Sequence, residues 1–180
     1  MKGTAKQEQR PMPNLWFRLM ALEYRTRSKP LFVVDELRPG GVSAGMHVLD
    51  FGCGPGKYTV HAASIVGAEG VVYALDIHPL AIKMVEKTAR KQRLTNIRPI
   101  CSSCTTGLEP ATIDLALLFN TLHDVDDKDG VLAEIRRVLK PNGRLVYRDH
   151  TLNGTPLLEL MQRAGFCLVE ESQVQSFAKR

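Results

Sequence analysis

No run of about eighteen apolar residues occurs, which excludes a membrane-spanning helix. Residues 1–10 are polar and charged; with no apolar stretch there, a secretory leader is not expected. Cysteine is scarce. Cys53, Cys101, Cys104 and Cys167 are too few for a disulfide scaffold, and in a chain without a leader they are expected as reduced thiols in the cytoplasm. Internal repeats and low-complexity tracts are missing. So is any G-x-x-x-x-G-K-[ST] stretch, which excludes a Walker-type nucleotide loop. What is present is ordinary for a folded domain: 180 residues, 44% hydrophobic and 24% charged. That length is one domain's worth and can bury a core.

The formal net charge of +5 is local. Residues 1–29 hold seven Lys/Arg and two acids, and residues 79–100 hold six and one; the remainder holds eleven against sixteen. A basic tail and a basic segment on an otherwise acidic chain fit a contact with nucleic acid, a membrane surface or an acidic partner. The second segment, with Lys83, Lys87, Arg90, Lys91 and Arg93, also reads as the solvated face of a helix, with Glu86 and Arg90 paired at i, i+4.

Residues 1–13 end in Pro11-Met12-Pro13 and read as a loose arm. Asn14 stands at an N-cap position, and Leu15, Leu19 and Leu22, with Trp16 and Met20 beside them, predict a helix to about Arg27. A short helix over 30–37 is expected to stop at Pro39-Gly40-Gly41. From Met46 onward, apolar runs alternate with helical segments. Strands are predicted at 47–51, 71–75, 97–101, 113–119, 144–147, 166–170 and 174–178. Helices are predicted at 57–66, from Pro79 with Ile82, Val85 and Ala89 on one face, at 130–139 and at 156–164. Pro141-Asn142-Gly143 reads as the stop between the helix at 130–139 and the next strand. The expected fold is α/β, a single doubly wound, mostly parallel sheet with helices on both faces. Residues 1–45 form an arm and helices, which either pack on the sheet edge or act as a lid; residues 46–180 form the ligand-binding domain. Such sheets bind ligands outside the carboxyl ends of their strands.

The stretch 48–58, V-L-D-F-G-C-G-P-G-K-Y, follows a strand and precedes a helix. Its glycines are Gly52, Gly54 and Gly56. A dinucleotide fingerprint would put the third glycine at position 57, which is Lys57. The loop therefore allows close backbone approach without the same pyrophosphate geometry. Asp76 lies twenty residues beyond Gly56, at the end of the second strand. An acid there can accept hydrogen bonds from both hydroxyls of a ribose. Loop and acid together imply an adenosine-type ligand.

Together with Val72–Ile77, Ile113–Val125 and the stretch 132–146 (L-A-E-I-R-R-V-L-K-P-N-G-R-L-V), this loop resembles the class I, Rossmann-like S-adenosylmethionine (SAM)-dependent methyltransferases. Within them it is most similar to the branch that includes the ubiquinone/menaquinone C-methyltransferases and the arsenite methyltransferases. The resemblance covers about residues 46–172. It implies a seven-stranded sheet with one antiparallel strand near its edge. SAM is the implied cofactor and S-adenosylhomocysteine the product. By the same resemblance Asp50 and the backbone at Gly52, Cys53 and Gly54 hold the methionine end, with Gly56 completing the loop. Asp76 holds the ribose, Ile77 packs on the adenine, and Asn120 and Leu122 line the floor near the methyl group. Tyr58 either contacts the ligand or caps its helix. The family's acid after the third strand is replaced here by Cys101-Ser102-Ser103-Cys104, where Ser102 or Ser103 could serve more weakly. Asn142 replaces a usual glycine and tolerates the same turn.

Methyl transfer is an in-line displacement in which positioning supplies much of the rate. An oxygen or carbon nucleophile also needs a base. His123, just past the fourth strand, is the best-placed catalytic residue; the alternative is a histidine held by a loop backbone. His150 stands at either the substrate mouth or a surface loop. His78 reads as scaffolding for the helix at Pro79. Cys101 and Cys104 make half a zinc site with no second half, so no metal is expected.

The reading is a SAM-dependent methyltransferase acting on a small-molecule acceptor. One alternative is a methyltransferase of RNA or protein, suggested by the basic segments. Against it, Asn120-Thr121-Leu122-His123 lacks the Asn/Asp-Pro-Pro-Tyr/Phe motif of the amino-methylating nucleic-acid enzymes. The other is a non-catalytic SAM-binding or scaffold protein. A nicotinamide-dependent oxidoreductase is disfavoured by Lys57. The link after the fifth strand is short, so the pocket is open or is covered by the N-terminal helix, with Trp16 and Phe17 lining it, or by a partner subunit in a homodimer.

Overall fold

The computed structural model describes residues 9–27, 37, 40–171 and 174–179. Seven strands form one sheet: β1 (His47–Phe51), β2 (Val71–Asp76), β3 (Ile97–Cys101), β4 (Ile113–Phe119), β5 (Leu139–Arg148), β6 (Phe166–Glu171) and β7 (Gln175–Lys179). The helices are α1 (Asn14–Arg27), α2 (Lys57–Val66), α3 (Pro79–Gln92), α4 (Lys128–Val138) and α5 (Gly154–Arg163), with a 3-10 turn at Leu122–Asp124. The sheet order is β3-β2-β1-β4-β5-β7-β6. β7 runs antiparallel to both β5 and β6, while the other pairs are parallel. This is the doubly wound α/β sheet with one antiparallel strand near its edge. The helix expected over 30–37 lies outside the described residues, except for Leu37. No described helix is long and apolar enough to cross a membrane.

Local chemistry explains most boundaries. His78 caps α3, its Nδ1 accepting from the Leu80 amide, and Pro79 follows where no amide is needed. Asp127 caps α4 by accepting from the Gly130 amide, so that helix begins two residues before the predicted Gly130. Asn14 is the first helical residue of α1 rather than its cap; the Pro13 carbonyl accepts the first helical bond, from Phe17. Pro141-Asn142-Gly143 lies within β5 as a bulge and not in a turn before it. Pairing steps from Ile113 opposite Leu139 to Leu115 opposite Arg144, two residues on β4 against five on β5. Within this bulge Lys140 Nζ reaches Asp114 Oδ1 at 2.6 Å.

The sheet buries both faces. On one, Val48, Val72 and Leu117 meet Val60 and Ala63 of α2 and Val85 of α3. On the other, Leu49, Leu75, Ala116 and Leu145 meet Leu132 and Ile135 of α4 and Leu157 and Leu160 of α5. Each fully buried Leu, Val or Ile contributes about 1.5–3 kcal/mol. The chain runs from β1 outward to β2 and β3, then returns to the other side of β1 for β4. That reversal opens a crevice above the carboxyl ends of β1 and β4. α1 packs on α3 through Phe17, Ala21 and Ala81.

Candidate functional site

The crevice is a cavity of about 400 Å³, within the range of small-molecule sites. The glycine loop forms its base. The Gly52 and Cys53 amides both bond the Leu75 carbonyl at the end of β2, which turns the loop across toward the second strand. Gly52 has φ of +77°, and a Cβ there would lie 2.3 Å from Thr121 Oγ1, so this position takes no side chain. Gly54 has φ of +52° and opens onto free space, with nothing within 4 Å of where a Cβ would sit. Its amide donates to Asp76 Oδ2 at 2.8 Å, while the His78 amide donates to Oδ1 at 2.8 Å. A carboxylate has about four acceptor sites, so both oxygens keep capacity for a ligand diol. Burial pushes the Asp76 carboxyl above its ordinary value, against the pull of the His78 and Gly54 amides.

Asp50 lies beneath the loop and does not line the cavity. On a strand, neighbours alternate faces; Leu49 and Phe51 point to one core, and Asp50 points to α2, where Thr59 Oγ1 donates to it at 2.6 Å. Burial, chiefly, raises its carboxyl to about 6; the Thr59 bond pulls it down and the Asp76 charge pushes it up. Burial likewise pushes the Cys53 thiol well up, so this cysteine is an inert thiol that offers its backbone.

Of the residues the sequence singled out, Gly52, Cys53, Gly54, Tyr58, Asp76, Ile77, Ser102 and Asn120 line one cavity, joined by Ser103. Gly56 sits behind it, packed within 2.8 Å of a Val85 methyl group when a Cβ is placed there. Leu122 is fully buried in the core below the floor. Tyr58 is buried edge-on against Phe119, and its hydroxyl accepts a hydrogen bond from Arg148. Cys101 is exposed and Cys104 half-buried, and all four cysteines are free.

The N-terminal arm forms the outer wall. Arg10, Pro11, Met12, Phe17 and Met20 line the cavity. Gln9 Nε2 donates to the Asp124 carbonyl at 2.7 Å, His78 Nε2 meets the Met12 carbonyl at 3.0 Å, and Phe17 stacks on the His78 ring at 4.1 Å. Trp16, by contrast, points away and is 64% exposed.

His123, the predicted catalytic residue, does not line the cavity; it adjoins it through Asp124, which does. Its Nδ1 lies 2.8 Å from Asp149 Oδ2, and its Nε2 lies 3.3 Å from Asp124 Oδ2, a residue that lines the cavity. Burial raises the Asp149 carboxyl, but the His123 bond and the Thr151 and Leu152 amides outweigh it and hold it below the usual range. An ionised Asp149 only accepts, so Nδ1 carries the proton that joins the two side chains. His150 packs edge-on to His123 at 4.9 Å, its Nδ1 3.2 Å from Asn120 Oδ1. Ligand atoms of His123, Asp149 and His150 lie within 4.8 Å of one another. Both Asp149 oxygens are already engaged by His123 and backbone amides, which marks it as the residue that orients His123.

Asp149, Arg148, Thr59 and the arm residues Gln9 to Met12 escaped the sequence reading. Asp149 had a signal: it ends β5 just as His123 follows β4, and those strands are neighbours. The arm had none, since its contacts reach residues 66 to 117 positions further along the chain.

A family model described as "Methyltransferase domain" matches residues 42–175. The ubiquinone/menaquinone biosynthesis C-methyltransferase UbiE of Marinomonas sp. (strain MWYL1) is 34% identical over 120 residues, 66% of this chain and 48% of that protein. The chain spans about half the length of the curated relatives it matches. A SAM dependent methyltransferase from Aquifex aeolicus superposes with a TM-score of 0.75 at 23% identity, covering 93% of this chain and 96% of that one. The [4+2]-cyclase SpnF shares the fold at a TM-score of 0.65 and 21% identity, covering 78% of this chain and 57% of that one. With its glycine loop, its ribose-type acid and a family match over most of its length, the chain belongs to the methyltransferase-domain family.

Proposed function

We propose that the chain moves the methyl group of SAM to a small-molecule acceptor by in-line displacement, leaving S-adenosylhomocysteine. The observation that carries this reading is the Asp76 carboxylate, braced by the Gly54 amide at the wall of a glycine-loop cavity of about 400 Å³. When bound, SAM supplies an activated methyl on a sulfonium whose leaving group is a neutral thioether. The chain's residues bind and orient. Asp76 accepts from the ribose hydroxyls, Ile77 and Ser102 border the base, and Gly52 to Gly54 admit the methionine end. Phe17, Met20 and Met12 exclude water from above. His123, oriented by Asp149, takes the acceptor's proton at Nε2, with Asp124 beside it to stabilise the imidazolium. Four free thiols support a reducing, cytoplasmic setting.

Calorimetric titration of S-adenosylhomocysteine, with NADH as control, tests the site. Wild type binds the former and not the latter. Asp76→Ala loses two charge-assisted bonds, about 2–4 kcal/mol, or about 30–1000-fold in affinity. A folded wild type that binds neither ligand overturns the reading. A second reading, a SAM binder without methyl transfer, draws support from the cyclase that shares the fold, since fold does not dictate chemistry.

A further inference from the structure

α1 leaves an apolar face uncovered. Phe17 and Ala21 pack inward, while Leu15 and Trp16 are 66% and 64% exposed and Leu19 and Leu22 about half exposed. Met12, on the arm just before, continues the stripe. Among the described residues, the other large apolar side chains left exposed are Leu168 and Val169, at the far sheet edge. A stripe of this kind on a monomer marks a contact surface.

Among the described residues, the charge lining the groove beside it is of one sign. This groove, of about 930 Å³, runs beside the α1–α3 contact, lined by both helices and the start of α2. Arg18, Lys57, Lys87 and Lys91 line it over an apolar floor that includes Val60 and Met84, and among the described residues no acid lines it. Glu23 is the acid on α1, and Glu86 of α3 is paired with Arg90. Cations flanking a helix face of Leu and Trp are what an anionic lipid surface requires: the apolar face enters the headgroup boundary and the cations meet the phosphates. RNA would engage the cations and leave the stripe wet. A second copy on a two-fold axis would cover the stripe but set the basic groove against itself. We propose that α1 and the α1–α3 groove dock on an anionic bilayer, lying on it rather than crossing it. The arm that leads into α1 also walls the cavity, so docking sets the cavity mouth at the lipid surface. The inference goes beyond methyl transfer and stands independently of it.

Trp16 is the sole tryptophan and reports directly. The full chain is mixed with vesicles of phosphatidylcholine alone or with phosphatidylglycerol added. The expected result is sedimentation with the anionic vesicles alone, weakened by salt, with a blue-shifted Trp16 emission shielded from acrylamide. Leu15→Glu with Leu19→Glu, and separately Lys87→Glu with Lys91→Glu, should each weaken vesicle binding by at least about tenfold. Both pairs should leave S-adenosylhomocysteine affinity unchanged. Trp16 emission indifferent to every vesicle overturns the proposal. So does a shift that follows protein concentration without lipid, which assigns the stripe to a second copy. RNA retention with Trp16 unmoved also overturns it and assigns the groove to nucleic acid. S-adenosylhomocysteine binding, read separately, shows whether the docking or the methyl-transfer reading has failed.

Discussion

The Asp50 carboxyl is held near 6 by burial under the glycine loop, so between about pH 4 and 6 the native state binds more protons than the unfolded chain. Stability therefore falls as pH rises through that window, and the full cost is present above it. Asp50→Asn keeps an acceptor for the Thr59 hydroxyl and removes the charge. Its melting temperature, relative to wild type, should climb from pH 4 to above pH 6 and then level. A difference that does not vary with pH would show that Asp50 is not desolvated. His123 makes a second claim at this scale. His123→Gln should lower kcat by about 100–10,000-fold with S-adenosylhomocysteine affinity kept. Asp149→Asn should lower it too and shift the pH profile, because an amide no longer fixes the Nδ1 proton; steady-state kinetics across pH separates the two. Single residues were legible where local spacing carried the meaning, as with Gly52, Gly54 and Asp76. The inward turn of Asp50 and the pairing of His123 with Asp149 depend on strand neighbours, which one-dimensional spacing does not show.

α4 is tied to the loop after β3 by a single carboxylate. Glu134 Oε1 accepts from the Thr106 amide at 2.8 Å and from its hydroxyl, and both oxygens meet Arg137. Those bonds, Arg137 first, hold the Glu134 carboxyl down at about 2. A depressed carboxyl adds stability above its unfolded value of 4.5 and loses it as pH falls toward 2. Glu134→Gln should cost about 1–3 kcal/mol in urea denaturation at pH 7, and the gap to wild type should shrink between pH 4.5 and 2. Most elements were legible from apolar period and caps, including all seven strands. β5 was misread at its start because Pro141-Asn142-Gly143 stops a helix and also shapes a bulge; only pairing with β4 distinguishes the two.

At the scale of the whole molecule, the reversal at β1 and β4 places the glycine loop and Asp76 around one crevice, His123 adjoins it through Asp124, and residues of the arm and α1 line its outer side. The sheet was foreseeable because strands and helices alternate along the chain. The N-terminal helix was legible only as two alternatives, packing on the sheet edge or a lid lined by Trp16 and Phe17; tertiary packing alone sends Phe17 inward to the cavity and leaves Trp16 in solvent. The central claim is methyl transfer to a small molecule. Incubating the chain with SAM labelled in its methyl group and a small-molecule extract, then following the label, tests it most directly. Label should appear in a low-mass product with matching S-adenosylhomocysteine, and Asp76→Ala should abolish it. Label in RNA or protein, or S-adenosylhomocysteine binding with no transfer to any acceptor, would contradict it.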